Sequence, residues 1–383
     1  RAFKYTMPAG HKSLCTQNLP DLFSGDQKNN PSKYFDIKTW TGNDVDDTDI
    51  KGFNFQPDLV WIKRRNDAGI WGVWDAIRGT NALDTAEDGT DTAYGTPPVG
   101  GYVSQFNSDG FRLKNGSTNN SYTHVDGADY AAWAWDAGTA AATPSTDGNI
   151  TISNQWVNAT AGFSITKYTM GADGGTFGHA LGAKPDMILV KRLNSSASWC
   201  SWHKGIPNTD YMMLDKWDDK STWNVWGNTD ATNTLVTVSG DSYTGNNGDT
   251  YIAYCWTAIP GYSAFGIFDG TGSDTAGPFL YCGFRPKMVI RKGITEDGYW
   301  GIFDSVRETI PEAGQTASFN PINQQMYLDG TNLEGADASN WPMDFLSNGI
   351  NIRGANHQYT NKSGNKYIWM AWAENPFKIA RAV

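Results

Sequence analysis

Three times along the 383-residue chain a proline opens an apolar run that reaches a lysine six positions later: Pro57 to Lys63, Pro185 to Lys191 and Pro286 to Lys292. Upstream of each proline an apolar residue is followed three positions on by a ring, as Ile37 and Trp40, Ile165 and Tyr168, Phe265 and Phe268. Downstream stand Trp71-Gly-Val-Trp74-Asp75, Trp199-Cys-Ser-Trp202-His203 and Trp300-Gly-Ile-Phe303-Asp304. Each unit closes on a turn and a last strand in which a tyrosine and a tryptophan lie five apart: Tyr130 and Trp135, Tyr251 and Trp256, Tyr367 and Trp372. Self-similarity at one period means one supersecondary design used repeatedly. The units span 34–138, 162–258 and 261–383.

Within each unit, short runs that alternate apolar and polar residues are separated by Gly/Asn/Asp/Ser turns such as Asn107-Ser-Asp-Gly110 and Ser347-Asn-Gly349. Only 18% of residues are charged and 42 are glycine, which favours strands and turns over solvated helices. About 100 residues per unit is more than double a propeller blade, so the spacing predicts an all-β chain of three tandem β-sandwich repeats. A five-residue spacing puts the closing tyrosine and tryptophan on opposite faces of a strand, with one ring toward the core and the other away from it. The recurring lysines are expected where a strand exits into solvent.

Residues 139–161 read as a linker carrying one extra strand around Ile150 to Ile152, whereas Ile259-Pro260-Gly261 leaves only a turn between the second and third units, which should pack rigidly. Residues 1–33 stand outside the repeat. They read as the end of an upstream domain, with Phe3, Tyr5 and Leu14 in a strand, followed by a connector. The start at Arg1 fits the C-terminal part of a longer chain.

A formal charge of -10 with no clustering of the 30 cations argues against nucleic acid as a partner. Cys15, Cys200, Cys255 and Cys282 are too few and too scattered for a disulfide framework or a zinc site, and read as buried thiols of a protein assembled in a reducing cytoplasm. No run approaches the length of a membrane span. No nucleotide, metalloprotease or hydrolase motif occurs, and five of the six glutamates fall in the third unit, which excludes a glutamate site repeated threefold. A binding protein without turnover is therefore expected. A pair of carboxylates brought together in space is the one enzymatic arrangement that such a sequence hides.

The strings FQPDLVWIK, WGVWDAIRG, FNSDGFRL, YIAYCW, GPFLYCGFRP, MDFLSNG and AWAENPFK resemble the repeated lectin-like module of virion proteins from marine podoviruses and related tailed phages. The segment GHKSLCTQNLP is similar to the end of the SPRY-like domain that often precedes that module. The resemblance covers essentially the whole chain and carries no catalytic motif. It implies lectin-like or jelly-roll-like sandwiches in a tail fibre on the particle surface that adheres to host polysaccharide or lipopolysaccharide. It also implies contact with other virion proteins and assembly as a homotrimer. A capsid fibre or decoration protein and a polysaccharide depolymerase are the alternatives.

Tryptophans that recur in register read as core. Those without counterparts, Trp217, Trp223 and Trp226 in a polar stretch and Trp341 in the third unit's insertion, are the candidate ligand-binding rings. An exposed indole beside Asp and Asn side chains stacks on the apolar face of a sugar while its neighbours bond the hydroxyl rim. No cofactor is implied. Calcium is the one ion for which the sequence offers oxygen donors, at Asp44, Asp46, Asp47 and Asp49 in the loop after the first strand. His203 stands where the other units carry Asp75 and Asp304, and receives no role.

Overall fold

The computed structural model describes residues 31–141, 143–307, 322–336, 342–354 and 356–374. Apart from one short turn of 3-10 helix at Pro31–Lys33, its regular elements are all strands, as the alternating pattern requires.

One strand order recurs in three sheets. An opening strand (Phe35–Thr41, Phe163–Thr169, Ser263–Asp269) pairs with the closing strand (Asp129–Trp135, Thr250–Trp256, Lys366–Ala373). The closing strand pairs in turn with the lysine strand (Leu59–Arg64, Met187–Arg192, Pro286–Gly293), and that strand with a ring strand (Trp71–Asp75, Cys200–His203, Gly301–Asp304). Register recurs as well: Trp40 faces Tyr130, Tyr168 faces Tyr251 and Phe268 faces Tyr367. A smaller antiparallel sheet covers one side of each, built on Thr48–Lys51, on Gly175–Gly178 and on Phe279–Tyr281. The linker's extra strand is Ile152–Asn158, which lies along the opening strand of the second unit and helps widen that sheet to eight strands.

The closing tyrosine latches the turn that precedes it. Tyr130 accepts from the Val125 N–H and donates to the Ser121 carbonyl, and Tyr251 does the same with Asn246 and Ser242. Tyr367 repeats the arrangement with Lys362 and Gln358. Gly127, Gly248 and Gly364 hold the equivalent turn position with φ of 70°, 82° and 85°, a region that side chains with a Cβ disfavour.

Burial overturns two sequence expectations. The closing strands are buried on both faces: Tyr130 packs in the sandwich of its own unit, while Trp135 points into a second core shared by all three units. At the centre of that shared core Trp135, Trp256 and Trp372 form a triangle, with ring centroids 5.7, 6.3 and 6.5 Å apart and interplanar angles of 66° to 77°. Such edge-to-face packing sets the electropositive rim of one indole against the electron-rich face of the next. The lysines do not reach solvent either. Lys63, Lys191 and Lys292 are fully buried, because each ammonium finds its acceptors in a set of backbone carbonyls at a boundary between units.

Each set combines carbonyls of the lysine's own unit with at least one from the neighbouring unit, always in the same rotational sense. Lys63 of the first unit donates to Thr331 O of the third at 3.0 Å, Lys191 of the second to Asp88 O of the first at 3.0 Å, and Lys292 of the third to Trp217 O of the second at 2.7 Å. The indole N–H groups follow suit: Trp71 to Tyr327 O, Trp199 to Asp84 O and Trp300 to Met213 O, at 2.7, 2.7 and 2.9 Å. The result is a closed ring of three units, each gripped by the lysine and tryptophan of the next.

Trp199→Phe keeps an aromatic side chain but removes the N–H that reaches Asp84 together with part of the bicyclic ring. Urea unfolding is expected to show a loss of about 1–2 kcal/mol, against less than about 0.5 kcal/mol for Trp223→Phe on the surface. Equal losses would show that the bond between units contributes nothing.

Candidate functional site

The grip between the second and third units places a row of rings on the surface. Lys292 and the Gly298 N–H both hold the Trp217 carbonyl, so the backbone of Trp217 is fixed while its ring stays 46% exposed. Just ahead of the strand Gly301–Asp304, Trp300 is buried in the shared core while Tyr299 beside it is half-buried. The Trp217 and Tyr299 centroids are 6.0 Å apart, and Tyr299 lies 4.3 Å from Tyr327 and 5.2 Å from Tyr359. His357 extends the row, 4.8 Å beyond Tyr359.

Carboxylates border it. Asp218 and Asp297 are exposed, and Asp297 accepts from the Asp219 N–H at 3.1 Å. Partial burial, and then the Asp297 charge, raise the Asp219 carboxyl above its ordinary range. Underneath, burial brings Lys292 down to about 8, with Asp329 and the three surface aspartates opposing the shift. Aromatic faces edged with acceptors can stack on and hydrogen-bond a polyhydroxylated ring.

The rings expected to act together are separated by the fold. Trp217 joins the row. Trp223, just after the edge strand Ser221–Thr222, is 62% exposed, its indole N–H donates to Asp241 at 3.1 Å, and Asp241 also accepts from the Tyr243 N–H. Trp226 is buried and cannot stack on a ligand from outside, because the Val225-Trp226 step turns into the sandwich of the second unit. Trp341 lies outside the described residues. Sequence reading missed Tyr299, Tyr327 and Tyr359. The available signal was that Tyr122, Tyr243 and Tyr359 recur eight positions before the closing tyrosine, always followed by threonine.

The four aspartates of the first loop do not pool their charge. Asp44 accepts from Asn120, Asp46 from the Asn115 N–H, Asp47 lies 3.5 Å from Lys114, and Asp49 takes both arms of Arg112. The Arg112 contact lowers the Asp49 carboxyl to about 2. No cluster of three or more His, Cys, Asp or Glu with metal-site geometry occurs among the described residues.

His203 has a structural explanation. Asp75 and Asp304 each bind an arginine three residues on, Arg78 and Arg307, and each accepts a proton donor from the closing strand of the adjacent unit, Tyr254 and Trp133. In the second unit the matching closing-strand residue is Met370, which has nothing to donate, and the arginine position is Ile206. His203 fills the place of the ion pair, its Nδ1 accepting from the Gly205 N–H at 2.9 Å. Burial, helped by Lys204, holds its pKa down to about 3.

Between pH 6.5 and 3 the unfolded chain therefore protonates this histidine while the folded chain does not, so its contribution to stability falls as the medium is acidified. Buried Asp58, Asp84 and Asp329, all with raised pKa values, act in the opposite direction. The difference between wild type and His203→Asn isolates the histidine. Its acid-side slope is expected to change by up to about 1.4 kcal/mol per pH unit, read from urea titrations at several pH values. Parallel curves would place His203 in contact with solvent.

Residues 30–376 match one family model, described as a domain of unknown function (DUF7483). No curated protein and no solved structure matches the chain.

Proposed function

The chain belongs to the DUF7483 family, and on that premise we propose that it is a receptor-binding fibre protein of a tailed-phage virion, adhering to a host-surface glycan. The virion setting rests on the resemblance of its repeated strings to podovirus fibre modules. The glycan reading rests on one observation, the surface row Trp217, Tyr299, Tyr327 and Tyr359 held by the grip between two units. Rings fixed in advance lose little entropy on binding, which suits a site used many times over on one particle. Asp218, Asp219 and Asp297 favour a neutral or amine-bearing polysaccharide over the phosphorylated part of a lipopolysaccharide, since anions would meet like charge. Binding requires no turnover, and a homotrimer is the favoured assembly.

A second reading, a capsid fibre or decoration protein that contacts its neighbours on the shell, draws on the edge strand Phe279–Tyr281. There Phe279 and Tyr281 are 48% and 70% exposed while Leu280 between them is buried. A particle density map with this strand covered by another subunit would favour it.

On an array of host-envelope glycans, Trp217→Ala and Tyr299→Ala are each expected to weaken binding at least tenfold with the circular dichroism spectrum unchanged, while Phe279→Ser has no effect. Retention of full binding by both ring variants would remove the row from the account.

A further inference from the structure

On leaving the first unit the chain turns through residues 136–138 around two carboxyl groups, those of Asp58, fully buried, and Asp136, half-buried. Asp58 accepts from the Ala137 N–H at 2.8 Å and the Gln56 amide at 2.9 Å, and Asp136 from the Gly138 N–H at 2.5 Å and the Asn158 amide at 2.9 Å. The two carboxyls are also hydrogen-bonded to each other. Such a bond needs a proton, since ionised carboxylates only accept. Among the described residues no lysine or arginine forms an ion pair with either group. The titratable groups beside them are Tyr34 of the first unit and Tyr262 of the third, and the Asp136 charge adds to burial in raising both phenols.

The other units build this joint without a second acid. Where the first unit has Asp58 and Asp136, the second has Asp186 and Thr257, and the third has Lys287 and Ala373. Asp186 accepts from the Ala258 N–H at 2.6 Å and the Thr257 hydroxyl at 3.5 Å and pairs with Lys204 at 3.0 Å, while Lys287 pairs with Asp36.

We propose that Asp58 and Asp136 share a single proton and form a pH-sensitive latch between the first unit and the linker strand Ile152–Asn158. With the proton in place Asp58 donates to Asp136, and Asp136 holds the Gly138 N–H and the Asn158 amide, at the end of the strand that lies along the second unit's opening strand. Loss of that proton sets two like charges against each other away from water, which disfavours the closed turn. Burial, opposed by the Gln56 bond and reinforced by the Asp136 charge, brings the Asp58 carboxyl up from 3.8 to about 8. The stabilisation is therefore whole below pH 3.8, declines as the pH rises, and is gone above about 8, where the folded chain is ionised as well. The latch shares no residue with the aromatic row and does not depend on it.

The test is an NMR titration of the full chain with 13C-labelled aspartate carboxyls and 15N-labelled amides. One carboxyl signal, absent from Asp58→Asn, is expected to titrate near pH 8, and the Ala137, Gly138 and Asn158 side-chain N–H signals to move with the same midpoint. Asp136→Thr reproduces the Thr257–Asp186 arrangement, and Asp136→Asn keeps the size of the side chain. Each is expected to lower the Asp58 midpoint by at least about one pH unit, a tenfold loss of proton affinity, and to abolish the N–H movement. In urea titrations the unfolding constant of the wild type relative to Asp136→Asn should rise with pH, by up to about tenfold per unit, until the Asp58 midpoint is passed. A set of aspartates that all titrate in the ordinary acid range, or an Asp58 midpoint unaltered in both Asp136 variants, would overturn the shared proton. Titration of Asp58 with the three N–H signals unmoved would overturn the latch.

Discussion

Burial of the closing strand on both faces is the constraint from which the rest of the molecule follows. A half-buried strand can end its alternation at the edge of a sandwich, but Tyr130, Tyr251 and Tyr367 already occupy the sandwich side, so Trp135, Trp256 and Trp372 must find a second interior. They find it in one another. Three large rings meeting at one centre bury area that no single unit could cover, at roughly 25 cal/mol per Å² of apolar surface, and the units are thereby held as one body.

Hydrophobic contact alone has no direction, and the direction comes from the lysines and ring-strand tryptophans. A buried ammonium costs several kcal/mol unless its donors are satisfied. Lys63, Lys191 and Lys292 meet that cost with carbonyls of their own unit and of the next, and the latter orient each unit against its neighbour. At Met370 and His203 the second boundary departs from the other two, and the change is concerted: loss of the proton donor on one strand accompanies loss of the carboxylate and arginine that received it. The surface row is a by-product of the same device, since the carbonyl that Lys292 grips is that of Trp217.

Much of this was legible in the residues. The period, the strand class and the core role of the recurring tryptophans follow from spacing, because alternation and burial leave a direct trace in sequence. The direction of Lys63, Lys191 and Lys292 was not legible: a lysine at the end of an apolar run reads as an exit to solvent unless the carbonyls of another unit are known to wait there. For the same reason Trp217, Trp223 and Trp226, ten residues from first to last, looked like one site and proved to belong to three environments. Tyr299 was hidden beside Trp300, since a ring next to a core ring draws no notice until the strand is given its faces.

The central claim is that the three units share one interior and open together. Native-state hydrogen exchange resolved to Asp129–Trp135, Thr250–Trp256 and Lys366–Ala373 tests it most directly, comparing the wild type with Trp256→Ala. A common opening free energy in all three strands, lowered in all three by the single substitution, is the result expected. Loss of protection confined to Thr250–Trp256, with the other two closing strands unchanged, would contradict it.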